Sequence, residues 1–146
     1  MNTYWKPAIE LLREIETSEE KRDWCKEYSA YAPQADEHEL MRDIERFIEE
    51  TYKNGVVIGN YHEIMKSLNL NERQIVKAEK VWIDTLPLYG AAAGLAYHFR
   101  RDHFCEGSLI SDSIANGCVL RLMERLYKLL TATPRLNAGG LKSASL

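Results

Sequence analysis

Apolar residues return every three or four positions along almost the whole chain, and that period favours helices over every other element. The clearest run is Leu40, Ile44, Phe47, Ile48 and Tyr52, a single stripe on an otherwise charged segment. Asp36 is placed to cap it, and Asn54-Gly55 supplies the left-handed residue types on which helices commonly stop. Trp5, Ala8, Ile9, Leu12 and Ile15 predict an earlier helix, capped by Thr3 and ending near Thr17. Between Ser18 and Gln34 the pattern weakens to Trp24, Tyr28 and Tyr31 before Pro33 closes it, which predicts a weaker helix and then a loop.

The second half reads the same way. Val56-Val57-Ile58 is β-branched and short, so one extended segment is expected there, leading to Asn60 as the cap of a short helix through Leu68. Asn71 caps the next, with Ile75, Ala78, Val81 and Trp82 facing inward. Asp84 or Thr85 then caps a helix that carries Pro87 in its first turn and runs to about Phe104. Its stretch Gly90-Ala91-Ala92-Ala93-Gly94 offers a small-residue face for close helix packing. Ser108 caps a short helix ending at Asn116-Gly117. A last helix follows with Val119, Leu122, Met123, Leu126, Leu129 and Leu130 on one side and Arg121, Glu124, Arg125 and Lys128 on the other. The expected fold is all-α: a compact single-domain bundle of about six helices over residues 1–133, with 134–146 as a flexible tail after Pro134.

Composition narrows the setting. With 45% apolar residues in 146, the chain can bury a real core. Cys25, Cys105 and Cys118 are odd in number and form no CxxC pair, which argues against a disulfide framework or a zinc cage and for a reducing compartment. Met1 to Arg13 carries charges where a signal peptide needs an apolar run. Leu86 to Phe99, the most apolar window, is too short for a bilayer span and runs into Arg100 and Arg101. A cytoplasmic protein with no membrane contact, no metal and no cofactor is expected. Residues 1–84 hold 12 Lys/Arg against 18 Asp/Glu, whereas 85–146 hold 7 against 4, so the two parts differ in sign.

The densest collection of reactive side chains is His98-Phe99-Arg100-Arg101-Asp102-His103-Phe104-Cys105-Glu106-Gly107. A structural reading turns the helix at Gly107 and lets Glu106 fold back on Arg100 or His103 in a buried ion network, with the cations also complementing the helix's last carbonyls. An enzymatic reading makes His103 a general base or Cys105 a nucleophile, with Arg100 and Glu106 in support. No second base or oxyanion element is identifiable, so catalysis ranks below binding. Metal ligation would use His98 and His103, but five residues apart on one helix they diverge, unlike ligands at i and i+4.

Phe47-Ile48, Tyr52, Asn54-Gly55, Arg100, Phe104-Cys105-Glu106-Gly107, Asn116-Gly117 and Leu122 to Leu126 with Arg125 together resemble an uncharacterised bacterial domain-of-unknown-function family. That family closes with an Arg-x-x-(Arg/His)-Phe-Cys-acidic-Gly motif and a Leu-rich helix. The resemblance covers roughly residues 40–130, with His103 standing where an arginine is expected, and it implies a helical fold and no established activity.

The expected function is therefore that of a small binding or regulatory module working through another protein, of phage or mobile-element origin, with homo-oligomerisation left open. Its expected contact residues are Arg100, Arg101, Asp102, His103, Glu106, Arg121 and Arg125. The alternatives are a small enzyme centred on the Arg100–Glu106 segment, or a nucleic-acid binder using the C-terminal basic residues, which the net charge of -3 disfavours.

Overall fold

The computed structural model describes residues 3–27, 39–101 and 109–132. Among them the chain forms α1 (Trp5–Thr17), α2 (Glu19–Glu27), α3 (Glu39–Lys53), α4 (Tyr61–Ser67), α5 (Glu72–Lys77), α6 (Lys80–Ile83), α7 (Leu88–Arg101), α8 (Leu109–Ala115) and α9 (Cys118–Ala132). The all-α expectation holds, with nine helices rather than about six among the described residues. Short turns divide what a continuing apolar period would join. No described helix is long and apolar enough to cross a membrane.

The small-residue stretch sets the layout. Gly90 to Ala96 is buried on every face of α7, so neighbours surround that helix instead of lying along one side. α9 and α4 make its main contacts, with α8 and α5 adding to them. Gly94 lies against α9, where an added Cβ would fall 3.2 Å from Cδ2 of Leu122. α1 packs on both α2 and α9, and α2 bridges α3 and α8. Leu12, Ile15, Ile44, Leu95, Leu122 and Leu126 are fully enclosed in one shared core.

Several local expectations need correction. Val56–Ile58 forms no strand; it is an irregular linker that buries Val56 and Ile58 after the left-handed Gly55. A strand needs a partner for its backbone groups, and this linker instead donates the Val56 N–H to the carbonyl of Thr51 at the end of α3. The helix begun at Asn71 does not continue through Trp82. Asn71 caps it as expected, accepting from the N–H groups of Arg73 and Gln74, but Ala78 turns left-handed at φ 48° and ends it. The restart in α6 shifts the helical phase, so Val81 points outward at 82% exposure instead of inward. Tyr52 is likewise 43% exposed, meeting Phe99 edge-on. Tyr4 rather than Thr3 stands at the start of α1, without a side-chain cap bond, and Asn60 also makes none. The Asp36 and Ser108 caps, the loop expected toward Gln34 and the expected 134–146 tail fall outside the described residues.

Candidate functional site

α5 has only six residues, too few for its hydrogen-bond ladder to satisfy both of its ends. Its closing carbonyls find partners on α7 and α9 instead. His98 Nε2 lies 2.7 Å from the oxygen of Ile75, and Cys118 Sγ lies 3.6 and 3.8 Å from those of Val76 and Lys77. Arg121 Nε donates to Ala78 at 2.6 Å. Four consecutive carbonyls are thus held by one imidazole, one thiol and one guanidinium.

The imidazole tautomer follows from its partners. A carbonyl can only accept, so Nε2 of His98 carries the proton and Nδ1 accepts from the Ser113 hydroxyl at 2.8 Å. Ser113 Oγ in turn accepts from Arg101 Nη2 at 3.0 Å. The result is a directed chain from Arg101 through Ser113 and His98 to the end of α5. Burial pushes the imidazole down to about 4 from 6.5; the Ile75 bond opposes this, while Arg101 and Arg121 reinforce it. With His98 and Ser113 both enclosed, this pairing holds helices together and offers no accessible nucleophile. Arg101 is half-buried, its guanidinium 5.8 Å from the centre of the Tyr97 ring, and its Nε is buried without a hydrogen-bond partner among the described residues.

Arg100 is exposed, so the expected burial of an ion pair at this residue is not realised. The helical phase of α7 turns Phe99 and His98 inward and sends Arg100 out. Arg101 and Arg121 come to the same neighbourhood, since both act on His98. Arg125 is directed elsewhere, its Nε and Nη2 donating to the carbonyl of Leu86 at 3.0 and 2.8 Å in the link between α6 and α7. Asp102, His103, Cys105 and Glu106 lie outside the described residues. His98 and Ser113 were missed as a connected pair, although a histidine within the apolar run from Ala91 to Phe99 was a visible signal.

Gly117, left-handed at φ 80°, starts α9 between Arg121 and Glu16. A Cβ there would fall 2.9 Å from Arg121 Nη1 and 3.3 Å from Glu16 Oε1, so a side chain would disturb the guanidinium as well as strain the backbone. Among the described residues, no three of His, Cys, Asp and Glu gather as a metal-binding group.

The thiols provide a direct test of enclosure. Cys25 is buried and donates to the carbonyl of Ser111 at 3.3 Å, and burial, then the charge of Asp112, push it up to about 12. Burial also raises Cys118, against the pull of Arg121 and Arg101. Neither thiol should react with a maleimide or a disulfide reagent in the native protein near pH 7, whereas both should react in denaturant. Peptide mapping of the labelled sites checks this, and rapid native labelling of Cys25 would contradict the enclosure described.

Two of the surface clefts formed by the described residues bear on binding. One, of about 760 Å³, lies between the start of α1 and α3, with Tyr4, Ala8, Leu11 and Phe47 among its apolar lining residues and Asp43, Arg46 and Glu50 among its charged ones. The other, of about 330 Å³, lies between α1, α6 and α9 and includes Arg121 and Arg125.

A family model described as a family of unknown function (DUF6508) matches residues 1–132. No curated protein and no solved structure matches the chain.

Proposed function

We propose, for a chain that belongs to the DUF6508 family of unknown function, a role as a binding module that receives a segment of another protein in the cleft between α1 and α3. The observation that carries this reading is the combination of size and lining. About 760 Å³ with an apolar patch and charged neighbours suits an inserted side-chain cluster. Of the catalytic candidates, His103, Cys105 and Glu106 lie outside the described residues, while His98 is taken up as a neutral clasp and Cys25 and Cys118 as buried thiols.

The acidic excess of residues 1–84 favours a partner segment that joins basic and apolar side chains, because complementary charge speeds and orients association. The reading sets the module in the cytoplasm, where free thiols stay reduced. Leu11 is half-buried against the core and lines the cleft, which makes it a suitable test residue. Selection from a displayed random-peptide library should enrich sequences with basic and apolar residues. Their affinity should fall at least about tenfold in Leu11→Asp, equivalent to roughly 1.4 kcal/mol, while circular dichroism shows retained helix. No enrichment, or peptides indifferent to Leu11→Asp, would remove the support for this site.

A further inference from the structure

We propose that the smaller cleft, between α1, α6 and α9, binds the phosphate group of a small phosphate monoester, a function separate from the peptide-binding reading. The argument begins with a charge inventory. Arg13, Lys80, Arg121, Arg125 and Lys128 line the cleft against two acids, Asp84 and Glu124. Both acids are engaged: Glu124 pairs with Arg13 at 2.6 Å, and Asp84 with Lys80 at 3.0 Å. Arg121, Arg125 and Lys128 have no carboxylate within 4 Å among the described residues. In a chain of net charge -3, the lining of this one cleft carries three more cations than acids.

Their spacing sharpens the point. Positions 121, 125 and 128 follow one another at four and three residues, so they share one face of α9, where like charges repel. The two arginines are half-buried, which removes part of the water that would otherwise screen them. Carbonyl bonds explain part of each guanidinium. Arg121 commits its Nε to Ala78, and Arg125 commits its Nε and Nη2 to Leu86. Arg121 also directs Nη1 to the carbonyl of Asn116 at 3.4 Å and Nη2 to Cys118 Sγ at 3.7 Å, whereas Arg125 Nη1 makes no hydrogen bond to a described residue. The Leu86 carbonyl fixes the Arg125 fork in orientation and leaves its Nη1 as a preorganised donor for an anion, with Arg121 adding charge and Lys128 a free ammonium beside it.

Phosphate fits better than a carboxylate because three cations match a dianion, and Arg and Lys together give both directional and point-charge contacts. A volume of about 330 Å³ lies at the small end of ligand sites, which suits a phosphorylated small molecule rather than a nucleic-acid strand.

Titration by calorimetry and phosphorus NMR, with inorganic phosphate, glycerol 3-phosphate and adenosine 5′-monophosphate as probes, tests the assignment. Lys128 is exposed and makes no hydrogen bond through its amine to a described residue, so Lys128→Gln should leave the melting temperature unchanged. It should weaken binding of the esters about fivefold, the effect of one exposed charge contact. Arg125→Lys, which keeps the charge but loses the fork, should weaken it further. No binding of any probe at about 10 mM, weaker than any useful affinity, would overturn the proposal, as would binding that Lys128→Gln does not change. A single-stranded oligonucleotide that binds more than about tenfold tighter than the monophosphate, with a steep salt dependence, would replace the small-molecule ligand with nucleic acid and overturn it as well.

Discussion

Leu122→Ala should remove about 3–5 kcal/mol of stability, near the top of the range for a single buried leucine. Leu122 is completely enclosed, and its Cδ2 is the atom that faces Gly94 across the α7–α9 contact. Truncation leaves a void on a face where the opposing residue has no side chain to swing into it. Neither helix can simply settle inward, because α7 is also packed against α4 and α9 against α1. The lost transfer free energy and the retained cavity therefore add. Urea unfolding at pH 7, followed by circular dichroism with the slope compared between variants, measures the loss. A change below about 1.5 kcal/mol would mean that the α7–α9 contact relaxes and is not the centre of the core.

Acidification should weaken the fold through His98. The folded-state imidazole lies at about 4 and the unfolded one at 6.5. Between those values the unfolded chain binds the extra proton, so stability is complete above pH 6.5 and declines as pH falls toward 4. The difference corresponds to something on the order of 3 kcal/mol. Protonation of His98 would put a cation in an enclosed site beside Arg101 and Arg121, and would also force Nδ1 to stop accepting from Ser113. His98→Gln loses stability at every pH, but it should not show the His98-dependent slope. Unfolding free energies of the two proteins, measured from pH 7.5 to 4, should converge as the pH drops. Parallel curves would show that His98 is not held neutral by the fold.

The longer helices could be read from the sequence because their apolar stripes are narrow. In α1, α3 and α9 the buried positions predicted by spacing are, apart from a few rim residues such as Tyr52 and Leu129, those that the core encloses. The break at Ala78 could not be read, since alanine is the strongest helix former and carries none of the usual marks of a left-handed residue. Tertiary contacts decide it: Ala78 is fully buried, and its carbonyl is held by Arg121. The choice between Arg100 and Arg101 was equally hidden. Gly90 to Ala96 can be buried from any direction, so the sequence gives no phase from which to tell which of two adjacent arginines turns inward. Arg121 and Arg125 were correctly placed on the polar side of the last helix, but spacing alone does not reveal that they reach back to carbonyls of the preceding segments.

The clasp around α5 has a consequence for how the chain tolerates change. His98, Cys118 and Arg121 grip backbone oxygens of residues 75 to 78, groups that every amino acid supplies. Arg73, Gln74, Val76 and Lys77 are exposed, so the clasp does not depend on what their side chains are, while Glu72, also exposed, adds a side-chain bond with Tyr97 of α7. Within α5 only Ile75 is buried. Beyond Glu72 the helix is therefore an interchangeable surface, anchored at one apolar residue and a row of carbonyls, whose outward chemistry can be rewritten without altering the means by which it is held.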